Sequence, residues 1–136
     1  MKQQLKIACS KKNLGEIRKF ISDSLEEVDL DSKTKSALIL AIDEACANAI
    51  IHGNNNNEKN TLEVETVVKN KTFIISISDV GGTDFSRLKH IERHIEELVK
   101  SKSKGGMGLK LMHTIMDKVE YVDVGGVYKC RLHKYL

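Results

Sequence analysis

The chain has no proline and no tryptophan, and only 4% of its residues are aromatic. Its three cysteines, Cys9, Cys46 and Cys130, are odd in number and lack the paired spacing of a zinc site. A disulfide framework is therefore not expected, which favours a reducing compartment. No apolar run approaches the ~20 residues of a membrane helix, and Met1–Gln4 leads into no signal-like region. We therefore expect a soluble, cytoplasmic protein with no membrane attachment.

The net charge of the chain is small. The formal net charge is +3, and no block of basic residues is interleaved with aromatics. Direct binding of nucleic acid is therefore not expected, whereas an anionic small ligand such as a nucleotide needs only local positive charge. With 136 residues, 40% of them hydrophobic and 30% charged, the composition indicates one globular domain spanning residues 1–136.

The periodicity of apolar residues predicts strands that come in hairpins and helices that come in pairs. This order predicts an α+β fold: a two-layer α/β sandwich with a mainly antiparallel mixed sheet, covered on one face by helices. The first predicted elements are a strand at Leu5–Ala8, a helix over Leu14–Leu25 and a helix from Ser32 to about His52. The first helix is expected to begin with a capping box of Asn13 and Glu16, and the second to be capped by Asp31 or Ser32. Strands at Leu62–Val68 and Thr72–Ser78 are joined by a tight turn at Asn70-Lys71. Helical patterns over Asp84–Lys104 and Leu109–Met116 and strands at Val119–Val124 and Val127–Leu132 follow.

The second of these helices carries two unusual polar residues. Glu44 and Asn48 are four residues apart in an otherwise nearly apolar stretch, so they share one face with Cβ atoms about 5–6 Å apart. His52 extends that face by one turn. On spacing alone, a solvated helix face is the commoner explanation. The alternative is a cation or a polar ligand bound over this face.

Two glycine-containing segments follow. Asp79-Val80-Gly81 comes after a strand and is either an ordinary turn or a carboxylate placed to accept a ligand N–H. Gly105–Leu109 precedes a helix, where backbone N–H groups can hold phosphate. It matches neither a Walker A loop nor a dinucleotide fingerprint. Among the lysines beside this loop, Lys104 is the best placed to contact phosphate.

The order of these segments is more specific than any one of them. A helix with E-x-x-x-N, a strand ending in D-x-G, a lid-like segment and G-x-G-L opening a helix resemble the GHKL (histidine-kinase-like) ATPases. The resemblance covers about Ser32–Leu136. It is closest to the bacterial anti-sigma factors that are serine-protein kinases, whose E-A-x-x-N-A-x-x-H is matched by Glu44–His52. Their third box is similar to Gly106–Met112, followed by Met116–Val119.

The resemblance implies roles for these residues. Glu44 would be the general base that takes the proton of a serine hydroxyl, and Asn48 would ligate Mg²⁺. Asp79 would bind the adenine amino group. The ATP-binding positions that it implies are Asn48, Asp79, Gly81, Thr83, Lys104, Gly106, Met107, Gly108 and Leu109.

One position departs from the family pattern. D-x-G-x-G would place a second glycine at position 83, where this chain has Thr83 with Gly82 beside it. The anti-sigma branch of the family is looser here than gyrase, so we expect ATP binding to persist with an altered adenine pocket.

The resemblance implies an anti-sigma factor with ATP- and Mg²⁺-dependent serine-protein kinase activity. Such a protein phosphorylates a STAS-type anti-anti-sigma partner and sequesters a sigma factor of RNA polymerase, as a homodimer. One alternative is a nucleotide-gated binding module without kinase activity. Glu44 argues against it, because binding alone needs Asn48 more than a base. Another alternative is a histidine-kinase catalytic domain acting in trans.

Overall fold

The computed structural model of the chain describes residues 2–48, 50, 60–80, 113–124 and 127–136. Residues 113–115 are helical, whereas the predicted helical pattern over Asp84–Lys104 and the start of the helix at Leu109 lie outside the described residues. The elements are β1 (Gln3–Ala8), a 3₁₀ turn (Lys11–Asn13), α1 (Leu14–Leu25), α2 (Ser32–Asn48), β2 (Thr61–Lys69), β3 (Thr72–Val80), β4 (Lys118–Val124) and β5 (Val127–Tyr135).

The five strands form one sheet in the order β1-β2-β3-β5-β4. All four neighbouring pairs are antiparallel, and β2–β3 and β4–β5 are hairpins. The predicted α+β class with a mainly antiparallel sheet is confirmed, as are both predicted hairpins. The exchange of β4 and β5 in the order makes β5 an inner strand and leaves β1 and β4 at the edges of the described sheet.

The helices and the sheet share one hydrophobic core. α1 buries Ile17, Ile21 and Leu25, which recur every four residues and therefore lie along one stripe. Full burial of each such side chain contributes about 1.5–3 kcal/mol. The other core residues of the described helices and strands include Leu38, Ala41, Ile42, Ala45, Cys46, Leu62, Val64, Phe73, Ile75, Ile77, Cys130 and Leu132.

The strands run further than the alternation of apolar residues predicts. β3 continues to Val80 because β2 begins at Thr61, and the two strands pair Leu62 with Asp79 and Thr61 with Val80. Backbone pairing with a neighbouring strand decides these ends, and it leaves no mark in the side-chain pattern. Asp79 is consequently part of the strand, and not of a turn that follows it.

The β2–β3 hairpin turns through two residues in left-handed backbone. Asn70 has φ 52° and Lys71 has φ 57°, the conformation that a two-residue type I′ turn requires. Asparagine tolerates positive φ, whereas lysine does so at a steric cost. The predicted tight turn is confirmed, with Lys71 as its strained member.

Lys71→Gly is therefore expected to stabilise the protein by about 0.5–1 kcal/mol, because glycine relieves the steric cost and creates the favoured Asn-Gly turn. The urea midpoint measures this gain. The matched control is Lys69→Gly, since Lys69 lies in the extended backbone of β2 and glycine weakens strands. A lower midpoint for Lys71→Gly would contradict the expected strain.

The two helix starts differ in how they are capped. At α2, Asp31 Oδ1 accepts the Thr34 backbone N–H at 2.6 Å, so Asp31 is the cap of the two candidates. At α1, the predicted capping box was wrong. Asn13 occupies the cap position without a side-chain cap hydrogen bond. Its Nδ2 instead donates to the Ala8 carbonyl at 2.8 Å, because the preceding 3₁₀ turn brings that carbonyl within reach.

The Asp31 cap predicts a pH dependence for the stability of α2. Hydrogen bonds from the Thr34 hydroxyl and backbone lower the pKa of Asp31. A lowered folded-state pKa gives stability that is complete above about pH 4, the unfolded value, and is lost as the pH falls through the folded value. Asp31→Asn keeps a capping oxygen that does not titrate. It should show a smaller loss of urea midpoint than the unmodified protein below about pH 4, whereas parallel curves would exclude this role.

Candidate functional site

The two helices run in opposite directions across the sheet. Near the start of α1, Arg18 Nη1 donates to Asp43 Oδ1 near the end of α2 at 3.1 Å. At the other end, Lys35 Nζ near the start of α2 donates to the Glu26 carbonyl after α1 at 3.4 Å. α1 begins at the sheet end where β1 finishes, so α2 returns its C-terminal turns to that same end.

β3 finishes at this end of the sheet as well. Ala8 at the end of β1 pairs with Thr61, and Thr61 pairs with Val80 at the end of β3. Ala8, Thr61 and Val80 lie side by side at this end of the sheet, which we call the Asp79 end. The end of the helix that carries Glu44 and the end of the strand that carries Asp79 therefore lie at the same end of the sheet.

Cys46 of α2 and Cys130 of β5 belong to the same hydrophobic core. Cys46 is fully buried. Its burial, then the charge of Asp43, then the nearby thiol of Cys130, raise the pKa of Cys46. Cys130 lies opposite Ile77 in the sheet. Asp79 comes two residues after Ile77, and α2 advances about 3 Å in the two residues after Cys46. From these core positions, the last residue of α2 and Asp79 both lie towards the Asp79 end.

The structure accordingly brings three predicted site residues to one region. Glu44 is half-buried on α2. For Asn48 and Asp79 the structure describes the backbone alone, at the last residue of α2 and the penultimate residue of β3. The remaining predicted positions lie outside the described residues. These positions are Gly81, Thr83, Lys104, Gly106, Met107, Gly108 and Leu109.

Glu44 and its neighbour Asp43 belong to different flanks of α2. Successive helical residues are rotated by about 100°, so Glu44 and Asn48 lie within about 40° of each other, away from Asp43. The Asp43 flank carries the ion pair to Arg18 and hence faces α1. Glu44 and Asn48 lie on a different flank of α2 from this ion pair.

Sequence reasoning missed the ion pair of Asp43 beside the candidate site. Its partner Arg18 is 25 residues away along the chain. No local pattern relates the two, and the signal exists only once the helices are known to be antiparallel neighbours. The pair marks the flank of α2 that faces α1, whereas the buried residues of α2 determine which face packs inward.

The described residues contain no group of three or more His, Cys, Asp or Glu side chains that could hold a metal ion. Mg²⁺ often takes only one or two ligands from protein and the rest from phosphates and water. An asparagine four residues after a glutamate on α2 is of the residue types that this mode of binding uses. In the same part of the chain, no helix is long and apolar enough to cross a membrane.

Comparison with known proteins identifies the family. The model of the histidine kinase-like ATPase domain matches residues 7–131, which is nearly the whole chain. The chain belongs to this family. Membership of the histidine kinase-like ATPases implies ATP binding, and residues 7–131 contain every predicted site residue.

Curated relatives of this histidine kinase-like ATPase are similar over most of their length. Serine-protein kinase RsbW of Bacillus velezensis is 28% identical over 139 residues, covering 98% of the chain and 84% of the relative. The anti-sigma F factor of Clostridium perfringens is 28% identical over 122 residues, covering 88% of the chain and 84% of the relative. These names support the anti-sigma kinase branch of the family.

A solved structure shares the fold. The crystal structure of the RsbU and RsbW domains of a Mycobacterium tuberculosis protein superposes with a TM-score of 0.65 at 14% identity. The match covers all of this chain and 32% of the solved chain, so the chain spans about a third of that protein's length. The likeness supports the fold of a histidine kinase-like ATPase.

Proposed function

We propose that the protein is an anti-sigma factor that is also a serine-protein kinase. The observation that supports the proposal is that the C-terminal turns of α2 and the end of β3 lie at the same end of the sheet. These are the elements that hold the base, metal and adenine positions implied by the family pattern.

In this proposal the parts of the site have separate tasks. Asp79 accepts a hydrogen bond from the adenine amino group, and the glycine segment at Gly106 and Gly108 holds the phosphates through backbone N–H groups. The serine hydroxyl of the substrate protein attacks the γ-phosphorus, ADP leaves, and the Glu44 carboxylate accepts the hydroxyl proton. Lys104 adds positive charge near the phosphates.

Mg²⁺ would be held by the Asn48 side-chain oxygen together with oxygens of the nucleotide. The donor chemistry of this stretch of α2 fits the ion, which prefers oxygen ligands and few protein groups. When bound, Mg²⁺ neutralises charge on the phosphates and thereby favours phosphoryl transfer. Asn48 would contribute by fixing where the metal–nucleotide complex lies relative to Glu44.

We propose two protein partners, a STAS-type anti-anti-sigma protein that receives the phosphate and a sigma factor that is sequestered. The names of the curated relatives, a serine-protein kinase and an anti-sigma factor, support both parts of this proposal. We further propose that the protein acts as a cytoplasmic homodimer and contacts no DNA itself.

The decisive experiment uses radiolabelled ATP, Mg²⁺ and the STAS protein encoded in the same genome. Label that appears on a serine of the STAS protein and survives acid supports the kinase. Acid-labile label indicates phosphohistidine and hence a histidine kinase acting in trans. ATP binding without any labelling supports the binding module. The control is the STAS protein with its acceptor serine replaced by alanine, which should stay unlabelled.

A further inference from the structure

A groove lies at the end of the sheet opposite the Asp79 end. Its volume is about 690 Å³, and it is lined by the end of α1, the connection to α2, β1, the residues beside the β2–β3 turn and Leu136. This size is within the range of about 300–1,000 Å³ that ligand sites occupy. We call it the far-end groove. It is separated from Glu44 by the length of α2.

The rim of the far-end groove is acidic. Asp23, Glu26, Glu27 and Asp29 all line it, and all four are exposed. No lysine, arginine or histidine is among its lining residues. In the described part of the chain, none of these four carboxylates is in an ion pair. Within the described residues, the rim of the groove is therefore predominantly negative.

The position of these acids is unfavourable for the protein itself. α1 has no basic residue in its last turn, and the carboxylates lie at its C-terminal end, where the backbone carbonyls already carry partial negative charge. Lys35 reaches one of those carbonyls, that of Glu26, and offsets part of this charge. The remaining repulsion costs stability, and a bound cationic group would relieve it.

The groove also has an apolar component. Phe73 and Val28 line it as buried residues, and Val68 and Leu136 line it with exposed fractions of 42% and 41%. Of the four large hydrophobic residues that are exposed in the described part of the chain, two, Val68 and Leu136, line this groove. Exposed apolar side chains beside a groove are typical of an interaction surface.

We propose that the far-end groove docks a cationic amphipathic segment of a partner protein. Its apolar side chains would lie against Val68 and Leu136, and its lysines or arginines would face Asp23, Glu26 and Glu27. Charge complementarity selects this occupant, because an apolar or acidic segment would leave the rim carboxylates desolvated or repelled. The inference is independent of the proposed kinase function, since it concerns a different end of the molecule.

The first test uses two synthetic peptides of equal length, one built from leucine and lysine in an amphipathic pattern and one with glutamate in place of lysine. Fluorescence anisotropy should show binding of the lysine peptide alone, weakening as salt is added. Amide resonances of residues 23–29 and 66–68 should shift on binding. Equal binding of both peptides, or shifts elsewhere on the protein, would overturn the proposal.

The second test exploits the cost of the acidic rim. The double variant Glu26→Gln, Glu27→Gln should lower the affinity for the lysine peptide about tenfold. It should also raise Tm by about 1–4 °C, because it removes negative charge from a helix C-terminus. If the two glutamates affected only the stability of the protein, the peptide affinity would not fall while Tm rises.

The matched control is Glu16→Gln, because Glu16 is an exposed acid in the first turn of the same helix, where negative charge is favourable. It should leave peptide affinity unchanged and Tm equal or lower. Unchanged affinity in the double variant would exclude the rim as the binding determinant. A change of oligomeric state in the double variant, measured by sedimentation, would mean that a second copy occupies the groove and would also overturn the proposal.

Discussion

Glu44→Gln is expected to lower the rate of serine phosphorylation of the STAS partner by about 10²–10⁴-fold, the usual contribution of a positioned general base. Glutamine keeps the size and the oxygen of the side chain but cannot take the proton of the attacking hydroxyl. Since a base is not needed to hold a nucleotide, the affinity for ATP should change little. Single-turnover labelling and ATP titration measure the two quantities separately.

The control for this prediction is the adjacent residue. Asp43→Asn alters a carboxylate one position away on α2, on the flank that faces Arg18 of α1. It should cost about 0.2–1 kcal/mol of stability, the usual range for a surface ion pair, and leave the phosphorylation rate within a small factor. If Glu44→Gln keeps more than a tenth of the rate, or if both variants lose activity equally, Glu44 is not the base.

The local part of the fold could be predicted because its determinants are local. The alternation of Phe73, Ile75 and Ile77 predicted a strand, and Asn70-Lys71 between two such strands predicted the turn of the hairpin. The sheet order was not predictable in this way. Nothing near Cys130 in the sequence indicates that β5 lies between β3 and β4, because that order depends on contacts between residues more than 50 positions apart.

The candidate site likewise has a part that the sequence predicts locally and a part that depends on tertiary contacts. The spacing of Glu44 and Asn48 follows from helix geometry and needs no tertiary information. Their position at the same end of the sheet as Asp79 depends on the antiparallel course of α1 and α2, which the contacts of Arg18 and Lys35 establish. From the sequence alone, this common location could be predicted only through resemblance to a family. The acidic end of α1 was visible as Glu26-Glu27, but its exposed apolar neighbours come from β2 and the C-terminus.

Asn48→Ala is expected to remove the dependence of ATP affinity on Mg²⁺. Loss of an uncharged oxygen that contacts a charged group costs about 1.5–3 kcal/mol, or roughly 10–150-fold in affinity. Alanine has the highest helix propensity, so α2 should form at least as well as before. The measurement is the ratio of ATP dissociation constants in EDTA and in Mg²⁺, which should fall towards one in the variant.

Ser36→Ala is the control for this substitution, because Ser36 is an exposed residue of the same helix, three turns from Asn48. It should preserve the Mg²⁺ dependence. An unchanged ratio in Asn48→Ala would remove Asn48 from the site. Together with Glu44→Gln, the variant separates two tasks that share one helix face. If Asn48→Ala loses Mg²⁺-dependent binding while Glu44→Gln keeps ATP and loses transfer, the face both holds the nucleotide and catalyses. If Asn48→Ala loses Mg²⁺-dependent binding and the unmodified protein transfers no phosphate, the protein is a nucleotide-gated binding module.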